Sequence, residues 1–193
     1  MESIKIYWIK NMVCRRCLKV IKQELEQIDV EVISLELGKL TVRSIKNIDK
    51  EIDDKVIRVL HLNGFEIAKN EEEMLVEEVK IILIEIIKEL PIHMKKKTSE
   101  YLASMLHRDY KNLSKLFSKN ENTTIEKYFI KLKIEKVKEL IQLQQYSFSD
   151  IAYLLDYSSV NHLSRQFKNI TGTSMTDYKN AEDWERSFYD EII

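Results

Sequence analysis

Along the first 70 positions stretches of alternating apolar residues take turns with stretches at helical spacing, and most of the remaining chain keeps helical spacing. Ile4, Ile6 and Trp8 predict a strand over Ser3–Ile9 with those three side chains on one face. Leu18, Ile21, Leu25 and Ile28 predict a helix over Cys17–Ile28. Val30–Leu37 and Lys39–Ile45 read as strands, with Gly38 between them as a tight hairpin turn. Ile52, Val56, Val59 and Leu60 mark a helix over Asp49–Leu62, which Asn63-Gly64 ends through a left-handed residue. Phe65–Ala68 is a last short strand. The order strand, helix, strand, strand, helix, strand is that of a split βαβ, so an α+β ferredoxin-like unit is expected over residues 1–70.

From residue 71 onward the pattern is all-α. Leu75, Val79, Ile82 and Ile86 form a stripe on a helix over Met74–Leu90, stopped by Pro91. Ser99–His107 turns Tyr101, Leu102, Met105 and Leu106 inward, and Asp109–Lys119 does so with Leu113, Leu116 and Phe117. A long helix follows over Ile125–Gln144, opened by a Thr123-x-x-Glu126 capping box. Ser147 and Asp150 form a second box before Ile151, Ala152, Leu154 and Leu155. After the turn Asp156–Ser159, in which Asp156 must tolerate a left-handed backbone, Val160, Leu163 and Phe167 face inward on another helix. The two helical pairs are copies of one another. Leu113–Lys119 aligns with Leu163–Asn169, and Asn122–Tyr128 echoes Gly172–Tyr178, at a period of 50 residues. Each pair is a helix-turn-helix pattern whose second helix is the expected reader of a major groove.

The outward residues of those second helices carry the candidate chemistry. In the first copy they are Lys111, Asn112, Ser114 and Lys115; in the second, Ser159, Asn161, His162, Arg165, Gln166 and Lys168. These side chains hydrogen-bond base edges or neutralise phosphates. An ordinary helical hairpin with a polar face would look the same over 22 residues; two copies joined by a long helix favour the nucleic-acid reading. Charge distribution agrees. The whole chain has net charge -1, yet residues 95–180 hold 15 Lys/Arg against 9 Asp/Glu, between acidic flanks in residues 1–94 (15 against 18) and 181–193 (1 against 5). The sequence leaves the role of the acidic tail 181–193 undecided.

With 3 Gly and 1 Pro, loops should be short. No long apolar run suggests a signal segment or a membrane span, so a cytoplasmic location is expected. The four histidines, at 61, 93, 107 and 162, have no nucleophile or carboxylate at a catalytic spacing, and no enzyme is expected. The only two cysteines, Cys14 and Cys17, stand as Cys-x-x-Cys between the first strand and the first helix, beside Arg15 and Arg16. A helix N-terminus and two guanidinium groups favour thiolates there. Two thiolates suffice for Cu(I) or another soft ion, whereas zinc would need further ligands. A redox pair, or cysteines without a metal role, are the competing readings.

Two family resemblances add to this. Residues 3–68, with Asn11-Met-Val-Cys-Arg-Arg-Cys17 and Asn63-Gly64-Phe65, resemble the heavy-metal-associated domain of copper chaperones and metal-transporting ATPases, although Asn11 replaces the family's Gly. The resemblance implies a soft-metal site at Cys14 and Cys17. Residues 74–180 resemble the DNA-binding domain of AraC/XylS-family bacterial transcription regulators, with Met175 where that family usually has Pro, and Asp156 and Asn122 where it has Gly. It implies double-stranded DNA as partner, with RNA polymerase a further candidate and a monomer or homodimer both compatible. The expected protein has a metal-binding ferredoxin-like domain over 1–70 and a DNA-binding domain over 71–193. The alternatives are a regulator responding to a protein or redox signal, or a metal-trafficking protein whose helical half docks a protein.

Overall fold

A computed structural model describes residues 3–12, 15–28, 30–44 and 50–181. The described chain falls into two compact units, residues 1–81 and 82–193, divided within a helix. In the first unit the elements are β1 (Ser3–Lys10), α1 (Arg15–Leu25), β2 (Glu31–Glu36), β3 (Lys39–Ser44), α2 (Lys50–Leu62) and β4 (Glu66–Ile67), followed by α3 (Glu71–Lys88), which crosses the division. The strands form an antiparallel sheet in the order β2-β3-β1-β4.

The pleat turns Tyr7 and Ile9 of β1, with Leu40 and Val42 of β3, into a core shared with Ile21 and Leu25 of α1 and Val56 and Leu60 of α2. The face carrying Ile4, Ile6 and Trp8 is therefore the outer one, with Ile4 64% and Ile6 49% exposed. Their cross-strand neighbours Arg43, Thr41 and Lys39 share it. Gly38 closes the β2–β3 hairpin at φ 70°. A Cβ there would lie 2.4 Å from Ile81 Cδ1, so the turn needs both the backbone freedom and the missing side chain of glycine. Asn11 has φ 63°, a left-handed backbone that asparagine tolerates better than most side chains.

Helix α3 starts at Glu71 rather than Met74. The Asn70 side-chain oxygen accepts from Glu73 N (2.9 Å), and Lys69 N donates to the Glu73 carboxylate (3.1 Å), so the charged junction is itself the cap. Within this part of α3, Glu77 and Lys80 are buried as an ion pair at 2.9 Å, and Glu77 also accepts from Asn11 N at 3.2 Å.

The second unit continues with α4 (Thr98–Leu106), α5 (Tyr110–Glu121), α6 (Ile125–Gln142), α7 (Phe148–Leu154), α8 (Val160–Thr171) and α9 (Met175–Asn180). Helix α6 is capped by Thr124, whose side chain accepts from Lys127 N; the expected Thr123 box does not form. The expected Ser147–Asp150 box does. The core holds Leu102, Leu113, Phe117, Tyr128, Leu132, Ile151, Leu163, Phe167, Met175 and Tyr178. Among the described residues no helix is long and apolar enough to cross a membrane.

Candidate nucleic-acid interface

Two helix pairs are built on one frame. Helices α5 and α8 span residues 110–121 and 160–171, an offset of 50. Each starts after a side-chain cap: Asp109 accepts from Asn112 N, and Ser159 accepts from His162 N. Each ends at a left-handed residue, Asn122 (φ 53°) or Gly172 (φ 79°). Each packs a buried phenylalanine against a tyrosine of the following helix, Phe117 with Tyr128 at 5.5 Å and Phe167 with Tyr178 at 5.6 Å. The turns differ by one residue: α4 closes at His107 (φ 50°), whereas α7 is followed by Asp156 (φ 56°). Left-handed Asn and Asp thus occupy the positions at which the resemblance placed Gly.

Burying Leu113 and Phe117 leaves Lys111, Asn112 and Lys115 on the solvent side of α5, with Ser114 half-buried. Burying Leu163 and Phe167 likewise leaves Asn161, His162, Arg165 and Lys168 exposed on α8. Two of the candidates do other work. Ser159 spends its hydroxyl on the helix cap. Gln166 is half-buried, and its Oε1 accepts a 2.6 Å hydrogen bond from Tyr157 Oη.

Tyr157 was not apparent as a functional residue in the sequence, yet the α7–α8 turn is built on it. Burial holds its hydroxyl protonated well above the ordinary tyrosine range. Its ring meets the His162 ring edge-on at 5.4 Å, and Ser158 Oγ lies 3.2 Å from His162 Nδ1. From α6, Lys133 sits 5.0 Å from the Tyr157 ring centre and 5.2 Å from that of Phe129, while its Nζ donates to the Leu155 carbonyl at 2.7 Å. Burial lowers the Lys133 pKa, and the Asp156 carboxylate partly opposes that. A lysine ammonium thus satisfies a carbonyl at the end of α7, a favourable location for a cation. In the first pair, the Tyr110 hydroxyl donates to Glu126; burial and this bond raise the tyrosine pKa, and the same bond leads in lowering that of Glu126.

Residues 102–181 match the family model described as a helix-turn-helix domain. This part of the chain is a helix-turn-helix domain. The match lies almost wholly within residues 74–180, where the sequence resembles AraC/XylS DNA-binding domains. It begins at Leu102, so the likeness of residues 3–68 to heavy-metal-associated domains remains an expectation. No curated protein matches the chain. Two solved structures are similar. One is a DNA-binding transcriptional dual regulator from Escherichia coli K-12, at 21% identity over 54% of this chain and 88% of that one, with a TM-score of 0.46. The other is the transcriptional regulator CdpR from Pseudomonas aeruginosa, at 13% identity over 83% of this chain and 51% of that one, with a TM-score of 0.45.

The cysteine loop stands outside the helix-turn-helix domain. Cys14 lies outside the described residues; Cys17 is half-buried near the start of α1, and Met12 is buried. Among the described residues, no group of three or more His, Cys, Asp or Glu is placed to hold a metal ion.

Proposed function

We propose that the chain is a cytoplasmic, sequence-specific DNA-binding transcription regulator whose α5 and α8 enter successive major-groove segments of one duplex. The observation that carries this reading is the paired construction of α5 and α8: side-chain caps at equivalent positions and the same buried Leu and Phe, with polar and basic residues left outward on both. Helix α6 supports it, because 18 residues extend about 27 Å, near the roughly 34 Å between groove segments on one side of a duplex. On this reading Lys111, Asn112, Lys115, Asn161, His162, Arg165 and Lys168 contact bases or phosphates, with Ser114 at the margin. Ser159 sets the start of α8, and Gln166 contributes from its flank. The domains are assigned as 1–70 and 71–193.

Binding to a randomised duplex pool, followed by affinity measurement over a salt series, tests the proposal. A steep fall of affinity with salt is expected, together with enrichment of a defined sequence. Arg165→Ala should weaken the selected duplex by about 1–3 kcal/mol and relax one base pair. Equal loss on selected and random duplexes would make Arg165 a phosphate contact. Absence of salt-dependent duplex binding would refute the function.

For the N-terminal unit we infer a ferredoxin-like soft-metal module, with Cu(I) held by Cys14 and Cys17. The antiparallel order β2-β3-β1-β4, the left-handed Asn11 and the buried Met12 support it. Soft ions prefer thiolates, and the N-terminus of α1 favours the ionised sulfur of Cys17. Cu(I) titration under reducing conditions should show one ion per chain, lost in Cys14→Ser/Cys17→Ser, and a change in duplex affinity of about 5–150-fold. Stoichiometric binding that leaves duplex affinity within about 2-fold would remove the sensor role and leave a protein or redox signal as the input.

A further inference from the structure

We propose that Tyr157, in the turn and not on the reading helix, sets the base selectivity of α8 by fixing which end of the Gln166 carboxamide is offered to DNA. This rests on the reading of α8 as a base-contacting helix. A free glutamine presents a donor and an acceptor side by side, and so matches the N6/N7 edge of adenine with two hydrogen bonds. Gln166 lacks that freedom. Its Oε1 is taken by the Tyr157 hydroxyl at 2.6 Å, from a tyrosine that burial keeps in the donating, protonated form. The other amide atom, Nε2, remains accessible: among the described residues no buried side-chain nitrogen or oxygen lacks a partner, and Nε2 has none among those residues. Gln166 lies one helical turn beyond His162, whose ring also rests on Tyr157, so one tyrosine holds two adjacent positions on that flank of α8. Tyr157 is held in turn by Lys133 over its ring.

Gln166 therefore acts chiefly as a donor: Oε1 keeps a second lone pair, but its hydrogen bond from Tyr157 ties it to the turn. A donor is met by N7 or O6 of guanine, O4 of thymine or N7 of adenine, and cytosine offers it nothing in the major groove. Adenine keeps the bond to N7, and its two-bond advantage is weakened because Oε1 is already shared with Tyr157. The first unit lacks the device: 50 residues earlier stand His107, Asn112 and Leu116, and a leucine has no amide to orient. Selectivity at this position belongs to the second unit alone.

The test compares wild type, Tyr157→Phe, Gln166→Ala and the double variant on the duplex selected from a randomised pool, with all four base pairs placed in turn at each position. Tyr157→Phe keeps the ring, and so the Lys133 and His162 contacts; thermal unfolding checks that the fold survives. Wild type should discriminate against cytosine at one position without preferring adenine to guanine. Tyr157→Phe frees Oε1 and should raise the adenine preference there by at least about 5-fold, the value of one added hydrogen bond of about 1 kcal/mol. Gln166→Ala should erase discrimination at that position, with the double variant indistinguishable from it. Unchanged preference in Tyr157→Phe, with selective binding intact, overturns the proposal and leaves the DNA-binding reading standing. A wild type that accepts cytosine and rejects guanine overturns it as well, because the amide would then be held the other way. A wild type without salt-dependent duplex binding refutes the proposed function and this inference with it.

Discussion

Replacing Phe167 by alanine should unfold the second helix pair more readily than any change on its outer face. Phe167 is 0% exposed and stands edge-on to Tyr178 at 5.6 Å. Phenylalanine-to-alanine changes in a closed core cost about 3–5 kcal/mol through lost transfer energy and the cavity left behind. The aromatic pair adds about 0.5–1.5 kcal/mol beyond area, which places this site in the upper half of that range, near 4 kcal/mol. Domain stabilities are typically about 5–15 kcal/mol, so the variant keeps a small margin at best. With a urea slope of about 2 kcal/mol per molar, the midpoint should fall by about 2 M. Near-UV circular dichroism is the suitable probe, since eight of the nine tyrosines lie in residues 82–193. Ile170→Ala, on the same helix but 47% exposed, is the control and should stay within about 0.5 kcal/mol. A loss below about 1 kcal/mol for Phe167→Ala, or an equal loss for both variants, would mean that Phe167 is not the packed centre of the pair, and the outward face of α8 would have to be redrawn.

Thr124→Ala should cost about 1 kcal/mol by uncapping α6, whereas Thr123→Ala should be near neutral; the reverse ranking in urea unfolding would return the cap to Thr123. Asp53 offers a test by pH. Burial pushes its pKa up, but the hydrogen bonds from Lys5 and Tyr7 outweigh this, and the net shift is downward. A depressed carboxylate stabilises the fold above its unfolded pKa, near 3.9, and the contribution is lost as pH falls through the lower folded value. Asp53→Asn should therefore flatten part of the acid-side decline in stability of residues 1–81, and identical acid profiles would rule the ion pair out as a contributor.

The order of elements was legible because each element carries its own period and its own stop signal, from Gly38 to Pro91. Side-chain caps were legible where one candidate stood alone, as at Ser147. They were not where two stood together: Thr123 and Thr124 are chemically alike, and only the chain path decides which hydroxyl meets Lys127 N. Asn70 and Glu73 read as a charged junction because the three glutamates of the first turn of α3 look like solvated surface. The alternation of Ile4, Ile6 and Trp8 located β1 but could not say which face the helices would cover; Tyr7 and Ile9 have the same period. Among the candidate contacts, the periodicity of α8 separates Leu163 and Phe167 from Arg165. It cannot reveal that Gln166 is held by a tyrosine nine residues away in the preceding turn.

The offset of 50 between α5 and α8 carries a consequence for how such a protein can change. The side chains that fix the path of each helix, Leu113 and Phe117 or Leu163 and Phe167, are separate from those that meet the outside. An exchange at Lys111 or Asn161 therefore leaves the frame untouched, and on the DNA-binding reading proposed above either helix could acquire a new target without a compensating change in its core. The Tyr157 turn is the exception: one residue holds both the frame and two outward positions, Gln166 and His162, so on the same reading the second helix is the less free of the two to wander.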